Sequence, residues 1–333
     1  MTALDITVGW GNGAIRAVQM RSDRPQPSRM LAGLEPATAL ALLSRLYAIC
    51  GRAQSACAEL ALAAAGGTAL SAARRTQLAR GIAAEAAQEH LWRLLLDWPT
   101  ALALAPHQAE FKRWYGRIAA DAILWPAELR AELELDWLGL PLERLAAFAD
   151  LAQFDAWRRG GHAPLATLFA RLGAEPASSS MAPGSTLPTE CGCALATSAE
   201  HPWVAALGAA GRWLEAHVAA RLVGLAAVLA AVGDGAAVEM DAATPAPGRG
   251  VALVATARGM LEHDVTVSGG RVDRYAITTP TDCNFAADGP FAGRLCGCPA
   301  ATPQAARRAA ELWALAFDPC VAYSVSLGEP GHA

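Results

Sequence analysis

Eight cysteines, at positions 50, 57, 191, 193, 283, 296, 298 and 320, carry most of the chemistry this chain could perform. Thiolates bind soft metals, exchange disulfides and attack electrophiles. No two of these cysteines are spaced as CxxC, the pairing on which zinc ribbons and thioredoxin-like sites are built. Two Cys-Gly-Cys triplets occur instead, Cys191-Gly192-Cys193 and Cys296-Gly297-Cys298. Glycine permits the sharp turn that would aim both sulfurs of a triplet at one ion, and the same residues serve equally as thiols of flexible loops. A zinc or thiol catalyst built on the triplets would need a nucleophile–base pair or an open zinc site with histidine ligands, and none is recognisable. Cys50 ends an apolar helical stretch, where a cysteine is commonly core filling. Cys57 follows one to two helical turns later, close to the same face. Cys320, after Asp318-Pro319, lies in an irregular near-terminal segment with little packing reason for a thiol.

The elements that must position these residues are read from periodicity. Residues 4–21 alternate around Gly11-Asn12-Gly13 and predict a β-hairpin in a region spanning 1–35. Pro36 opens a Leu/Ala-rich helix running to about Cys50, and a second helical pattern runs from about Arg74 to Asp97, stopped by Pro99. Shorter helical stretches follow, so 36–172 is expected to be a helical bundle. The Ala/Ser/Pro/Gly-rich segment 173–202 reads as a flexible loop, and 203–232 as one long helix with a broad apolar face. A Gly/Ala/Pro stretch, 233–250, precedes period-two alternation over 251–255, 261–267 and 272–277, which predicts two or three strands. Residues 280–303 read as irregular and 304–316 as helical, so 251–333 forms a β-region with a terminal cysteine motif. The expected class is α+β, mainly α, with 1–333 as a single domain.

Composition narrows the classes further. The chain has 333 residues, 53% of them hydrophobic and 17% charged, with a formal net charge of -4. Mean hydropathy is +0.24. The longest apolar run, Leu222–Val232, falls short of the roughly 20 residues a membrane span needs, so no membrane insertion is expected. No basic segment followed by an apolar one opens the chain, so a cytoplasmic setting is expected, where thiols stay reduced. Arginines scattered among carboxylates, with Lys112 as the single lysine, argue against nucleic acid.

The last eighty residues carry a set of motifs. Ala255-Thr256-Ala257-Arg258-Gly259-Met260-Leu261-Glu262-His263 is followed by Gly270-Arg271-Val272-Asp273-Arg274-Tyr275, then Thr279-Pro280-Thr281-Asp282-Cys283-Asn284-Phe285, then Phe317-Asp318-Pro319-Cys320. This order resembles the end of the large subunit of nickel-iron hydrogenases, with its pattern PRGxLxHW, GxIxxY, PTTWN and FDPCxxC. Near the front, Arg45–Cys57 resembles RxCGxCxxxH, with Cys50-Gly51 in place, Ala53 at the second cysteine and Cys57 at the histidine. The shortened chain and the stretch 279–290 look most like hydrogenase expression/formation (maturation) proteins of the HupK/HoxV type.

The resemblance implies a reduced large-subunit-like fold. In the enzyme family two CxxC pairs hold nickel, and the second cysteine of each bridges to an iron carrying cyanide and carbon monoxide. Here Cys50 and Cys320 keep the first positions, whereas Ala53 and Tyr323 occupy the second. An alanine offers no lone pair and a tyrosine is a hard ligand, so a thiolate-bridged two-metal centre cannot form that way. The resemblance therefore implies a non-enzyme, a scaffold holding the iron-cyanide-carbonyl fragment transiently, without nickel. Cys50, Cys320 and Cys57 are the candidate metal ligands, and Arg258 and Asp318 the residues toward the fragment's own ligands. The implied partners are the assembly proteins that deliver the iron fragment and the hydrogenase large-subunit precursor. A metal-free large-subunit mimic that binds assembly partners is the alternative. His263 has a family counterpart but reads equally as a satisfied structural histidine.

Overall fold

The computed structural model describes residues 4–23, 27–47, 49–120, 125–176, 194–234 and 238–328. The chain opens with the hairpin of β1 (Leu4–Gly11) and β2 (Ala14–Ser22), closed by Asn12 and Gly13 at positive φ. These two residues supply the left-handed pair that a tight two-residue turn requires. Helix α1 (Pro36–Leu46) ends earlier than its apolar pattern suggests, and a separate helix, α2 (Gly51–Ala65), begins immediately after Cys50. Cys50 is therefore the N-cap of α2 rather than the end of α1. That reverses the sign of the helix dipole acting on it.

Helix α3 (Ala72–Trp92) passes through a π-helical turn, Arg93–Asp97, into α4 (Trp98–Ala101). The wider turn accommodates Pro99, so this proline does not stop the helix at Asp97. The bundle continues with α5 (Gln108–Ala119), α6 (Trp125–Glu132), α7 (Leu151–Gly160) and α8 (Pro164–Gly173). The expected loop 173–202 is described only at its ends: residues 177–193, with Cys191 and Cys193, lie outside the described residues, and α9 (Ala194–Thr197) occupies its later part. The expected single helix 203–232 is two, α10 (Pro202–Ala209) and α11 (Trp213–Asp234). Gly211, at φ 72, turns the chain between them, and Trp213 folds over Gly208, where an added Cβ would sit 3.1 Å from the indole ring.

Strands β3 (Met240–Ala246), β4 (Arg249–Thr256), β5 (Gly259–Ser268) and β6 (Arg271–Thr278) follow, then α12 (Pro280–Asn284), α13 (Pro290–Leu295), α14 (Pro303–Phe317) and β7 (Tyr323–Gly328). The first of these strands lies in the Gly/Ala/Pro stretch that precedes the expected strands, α12 and α13 lie in the stretch expected to be irregular, and β7, which alternates as Tyr-Ser-Val-Ser-Leu, lies beyond the strands expected from sequence. Among the described residues the strands make two sheets, ordered β2-β1-β7 and β3-β4-β5-β6. All neighbours are antiparallel except β1 and β7, which run parallel with Leu4 opposite Tyr323 and Gly9 opposite Gly328.

Two apolar cores result. The larger joins the bundle, α11, α14 and the inner face of β1, with Trp98, Trp203 and Trp313 fully buried. The smaller lies between α2 and the four-stranded sheet and includes Leu43, Leu60, Val254, Leu261 and Val265. Helix α11 contains a 20-residue apolar window, Trp213–Val232, long and apolar enough to cross a bilayer by length and composition, which corrects the shorter run read from sequence. In the fold it is a core helix that carries the buried Glu215, His217 and Arg221.

Candidate functional site

The site lies where the start of α2 meets the end of α14. Asp318 caps α14 in the left-handed region, at φ 53, a conformation few non-glycine residues adopt. The turn this produces leads through Pro319 to Cys320, whose amide donates to Thr281 Oγ1 at 3.0 Å. The Thr281 hydroxyl in turn donates to Cys320 Sγ at 3.2 Å. Thr281 is held on α12, which begins with a capping box of Thr279 and Asp282.

Cys50 approaches from the other side. The amides of Arg52 and Ala53 that follow it donate to the Glu85 carboxylate at 2.7 and 3.0 Å, which ties the start of α2 to α3. Cys50 and Cys320 are both half-buried thiols outside any disulfide, and their side chains lie close enough to share a hydrogen bond. That contact raises the Cys50 thiol well above its ordinary range, helped by burial and by the negative charge of Cys320 and Glu89, while Arg258 acts in the opposite direction. Two sulfurs from opposite ends of the chain thus face one another.

Arg258, buried on the turn between β4 and β5, borders both thiols. Its guanidinium donates to Glu89 Oε2 at 2.5 Å and to the Asp318 carbonyl oxygen at 3.1 Å, with the Asp318 carboxylate 3.3 Å away. Burial disfavours its charge, but Asp318, Glu89 and Cys320 outweigh that and hold it more firmly protonated than usual. The expected Arg258–Asp318 pair is therefore present, within a larger network. Arg93, the first residue of the π turn, donates to Asp318 Oδ1 at 2.6 Å and also pairs with Asp97. Arg221 of α11 reaches Asp318 Oδ2 at 2.9 Å. Burial alone would push the Asp318 carboxyl up; Arg258, Arg93 and Arg221 together hold it well below the usual carboxylate range.

Cys57 does not join the pair. Its thiol is fully buried in the smaller core and donates to the carbonyl oxygens of Ala252 and Leu261 on adjacent strands, at 3.4 and 3.6 Å. Burial raises its pKa far above the usual thiol value. It lies about two turns beyond Cys50 along α2, on the face that packs the sheet, so the histidine-like position here acts as core. The second triplet is also divided: Cys296 is exposed, whereas Cys298 is buried and donates to the Arg294 carbonyl oxygen at 2.8 Å. Among the described residues no group of three or more His, Cys, Asp or Glu could hold a metal ion. The pair of thiolates can nonetheless ligate a soft metal that brings other ligands with it.

Arg93, Arg221, Glu85 and Thr281 escaped the sequence reading. One signal was legible: Arg221 interrupts the most apolar stretch of the chain, and a charge there has to be paired.

This architecture is that of the nickel-iron hydrogenase large subunit. The nickel-iron-selenium hydrogenase of Desulfovibrio vulgaris Hildenborough in the reduced state superposes with TM-score 0.59 at 15% identity, over 93% of this chain and 94% of that one. An NAD+-reducing nickel-iron hydrogenase superposes with TM-score 0.53 at 15% identity, over 92% and 93%. No protein-family model matches the chain. Full-length relatives do: hydrogenase expression/formation protein HupK of Azotobacter vinelandii is 33% identical over 97% of this chain and 98% of its own. HupV of Azotobacter chroococcum is 34% identical over 97% and 98%, and HoxV of Cupriavidus necator 31% over 93% and 94%. The chain belongs to the HupK/HupV/HoxV family of hydrogenase expression/formation proteins.

Proposed function

We propose that this protein is a non-catalytic scaffold in hydrogenase maturation, which holds an iron-cyanide-carbonyl fragment between Cys50 and Cys320 and releases it to the hydrogenase large-subunit precursor. The observation that carries the reading is the contact between these two thiols beside Arg258, with Ala53 and Tyr323 where bridging cysteines would complete a two-metal centre. Two thiolates leave the remaining positions on iron to the ligands it already carries, as transfer requires. The guanidinium of Arg258 is a fixed fork of donors, suited to the nitrogen ends of cyanide ligands. Asp318 keeps that fork oriented. Cys57 lies outside this ligand set. The partners on this reading are the assembly proteins that deliver the fragment and the precursor that accepts it, all in the reducing cytoplasm.

Infrared spectra of protein purified anaerobically from cells with active upstream assembly should contain cyanide and carbonyl stretching bands, absent in Cys320→Ser. Absence of those bands from the unmodified protein would overturn the carrier reading. The Cys50 thiol, held well above its ordinary range by Cys320 and by burial, favours a second reading, a metal-free large-subunit mimic that docks assembly partners. On that reading Cys50→Ser and Cys320→Ser leave hydrogenase maturation intact.

A further inference from the structure

Behind Cys50 runs a buried chain of polar side chains that the proposed function has not used. Gln54 on α2, His263 on β5 and Tyr275 on β6 are 1%, 0% and 7% exposed. Gln54 Nε2 donates to Cys50 Sγ at 3.9 Å. Its other carboxamide atom, Oε1, lies 2.9 Å from His263 Nε2. His263 Nδ1 lies 2.8 Å from the Tyr275 hydroxyl.

The chemistry of each group sets the direction of the next bond. A carboxamide oxygen can only accept, so His263 carries its proton on Nε2 and donates to Gln54. The neutral ring then has an acceptor at Nδ1, and Tyr275 must donate to it. Burial keeps this imidazole neutral, with its pKa lowered to about 3, which the arrangement requires because an imidazolium could not accept from Tyr275. Every donor in the series therefore points toward Cys50. Successive bonds of this kind polarise one another. A core with only packing to satisfy would not need three polar side chains in a row ending on a sulfur.

We propose that Gln54 is a positioning residue for the Cys50 ligand, its carboxamide oriented by His263 and Tyr275 so that an N–H is held on the sulfur. The inference rests on the reading of Cys50 as a ligand thiol. The hydrogen bond fixes the side-chain rotamer that faces Cys320.

The test follows cross-linking of Cys50 to Cys320 by a short bifunctional thiol reagent, read by peptide mass spectrometry. Gln54→Leu should slow the cross-linking several-fold, because Cys50 is no longer held in the rotamer that faces its partner. Tyr275→Phe, which keeps the ring and removes only the far donor, should slow it less and in the same direction. Mere loosening of the fold would show separately, as faster alkylation of the buried Cys57 and Cys298. If Gln54→Leu alters the packing, Tyr275→Phe decides. A wild-type rate in folded Gln54→Leu, or in Tyr275→Phe, would overturn the proposal. The readout contains no metal, so its failure is distinct from failure of the infrared experiment.

Discussion

Asp318 is held by three arginines from separate parts of the chain, Arg93, Arg221 and Arg258. Its replacement would leave buried cations without their common anion. Asp318→Asn is expected to lower the unfolding free energy by about 3–5 kcal/mol, measured by urea denaturation at neutral pH, as for other broken buried ion pairs. Because the folded carboxyl is held below its unfolded value, its contribution is complete above roughly pH 4 and is lost as the pH falls through the folded value. Glu85 has the opposite sign. Burial and the nearby Glu89 raise it to about 7, against the hydrogen bonds from Arg52 and Ala53. The fold thus prefers it protonated, and its linkage destabilises the protein as pH rises from roughly 4.3, the unfolded value, to about 7. Glu85→Gln should flatten that part of the profile; an unchanged slope of urea midpoints against pH would refute this assignment. Both residues sit in ordinary helical or terminal sequence, and their titration depends on neighbours brought from elsewhere.

Helix α2 sets the position of Cys50, and α2 is itself set by how closely it lies on β4. Gly250 makes that approach possible, because a Cβ there would collide with the backbone of Ala61 and Ala65. Gly250→Ala should therefore destabilise the protein by about 1–3 kcal/mol, as overpacking does, and push the end of α2, around Ala61–Ala65, off β4. Thermal unfolding reports the first effect, and faster alkylation of Cys57, buried between α2 and β4, reports the second. Helices were largely legible from periodicity and from prolines near their starts. Their boundaries were less so: α1 and α2 share one Ala/Leu-rich pattern, and the break at Cys50 comes from the packing of α2 on the sheet and from Glu85 capping its amides. The π turn at Arg93–Asp97 likewise has no local sequence signature, although it aims Arg93 at Asp318.

The ends of the chain are joined by β7, which runs parallel to β1 and follows Cys320 directly. This pairing anchors the segment that presents the thiol. Ser326→Pro, opposite Thr7 and in the bonding alternation that begins where the Leu4 amide donates to Ala322, should cost about 1–3 kcal/mol through broken ladder bonds, and it should increase the alkylation rate of Cys320 as the segment loosens. If the melting temperature falls while Cys320 stays as protected as before, β7 is not the anchor. The same closure sets the two cores side by side, with the Cys50–Cys320 contact, Arg258 and Glu89 near their junction.

The linear sequence was enough to establish that no two cysteines are spaced as CxxC, with Ala53 following Cys50 and Tyr323 following Cys320 at that spacing, and that helices dominate between a leading hairpin and a late β-region. Those features rest on residue identity and on periodicities of a few residues. It could not establish that Cys57 faces the sheet while Cys50 faces Cys320, that Arg93 and Arg221 converge with Arg258 on Asp318, or that the terminal strand pairs in parallel with β1 to complete the first sheet. These are contacts between residues far apart in the chain. Their geometry follows from how the layers close on one another, and periodicity within one segment carries no information about that closure.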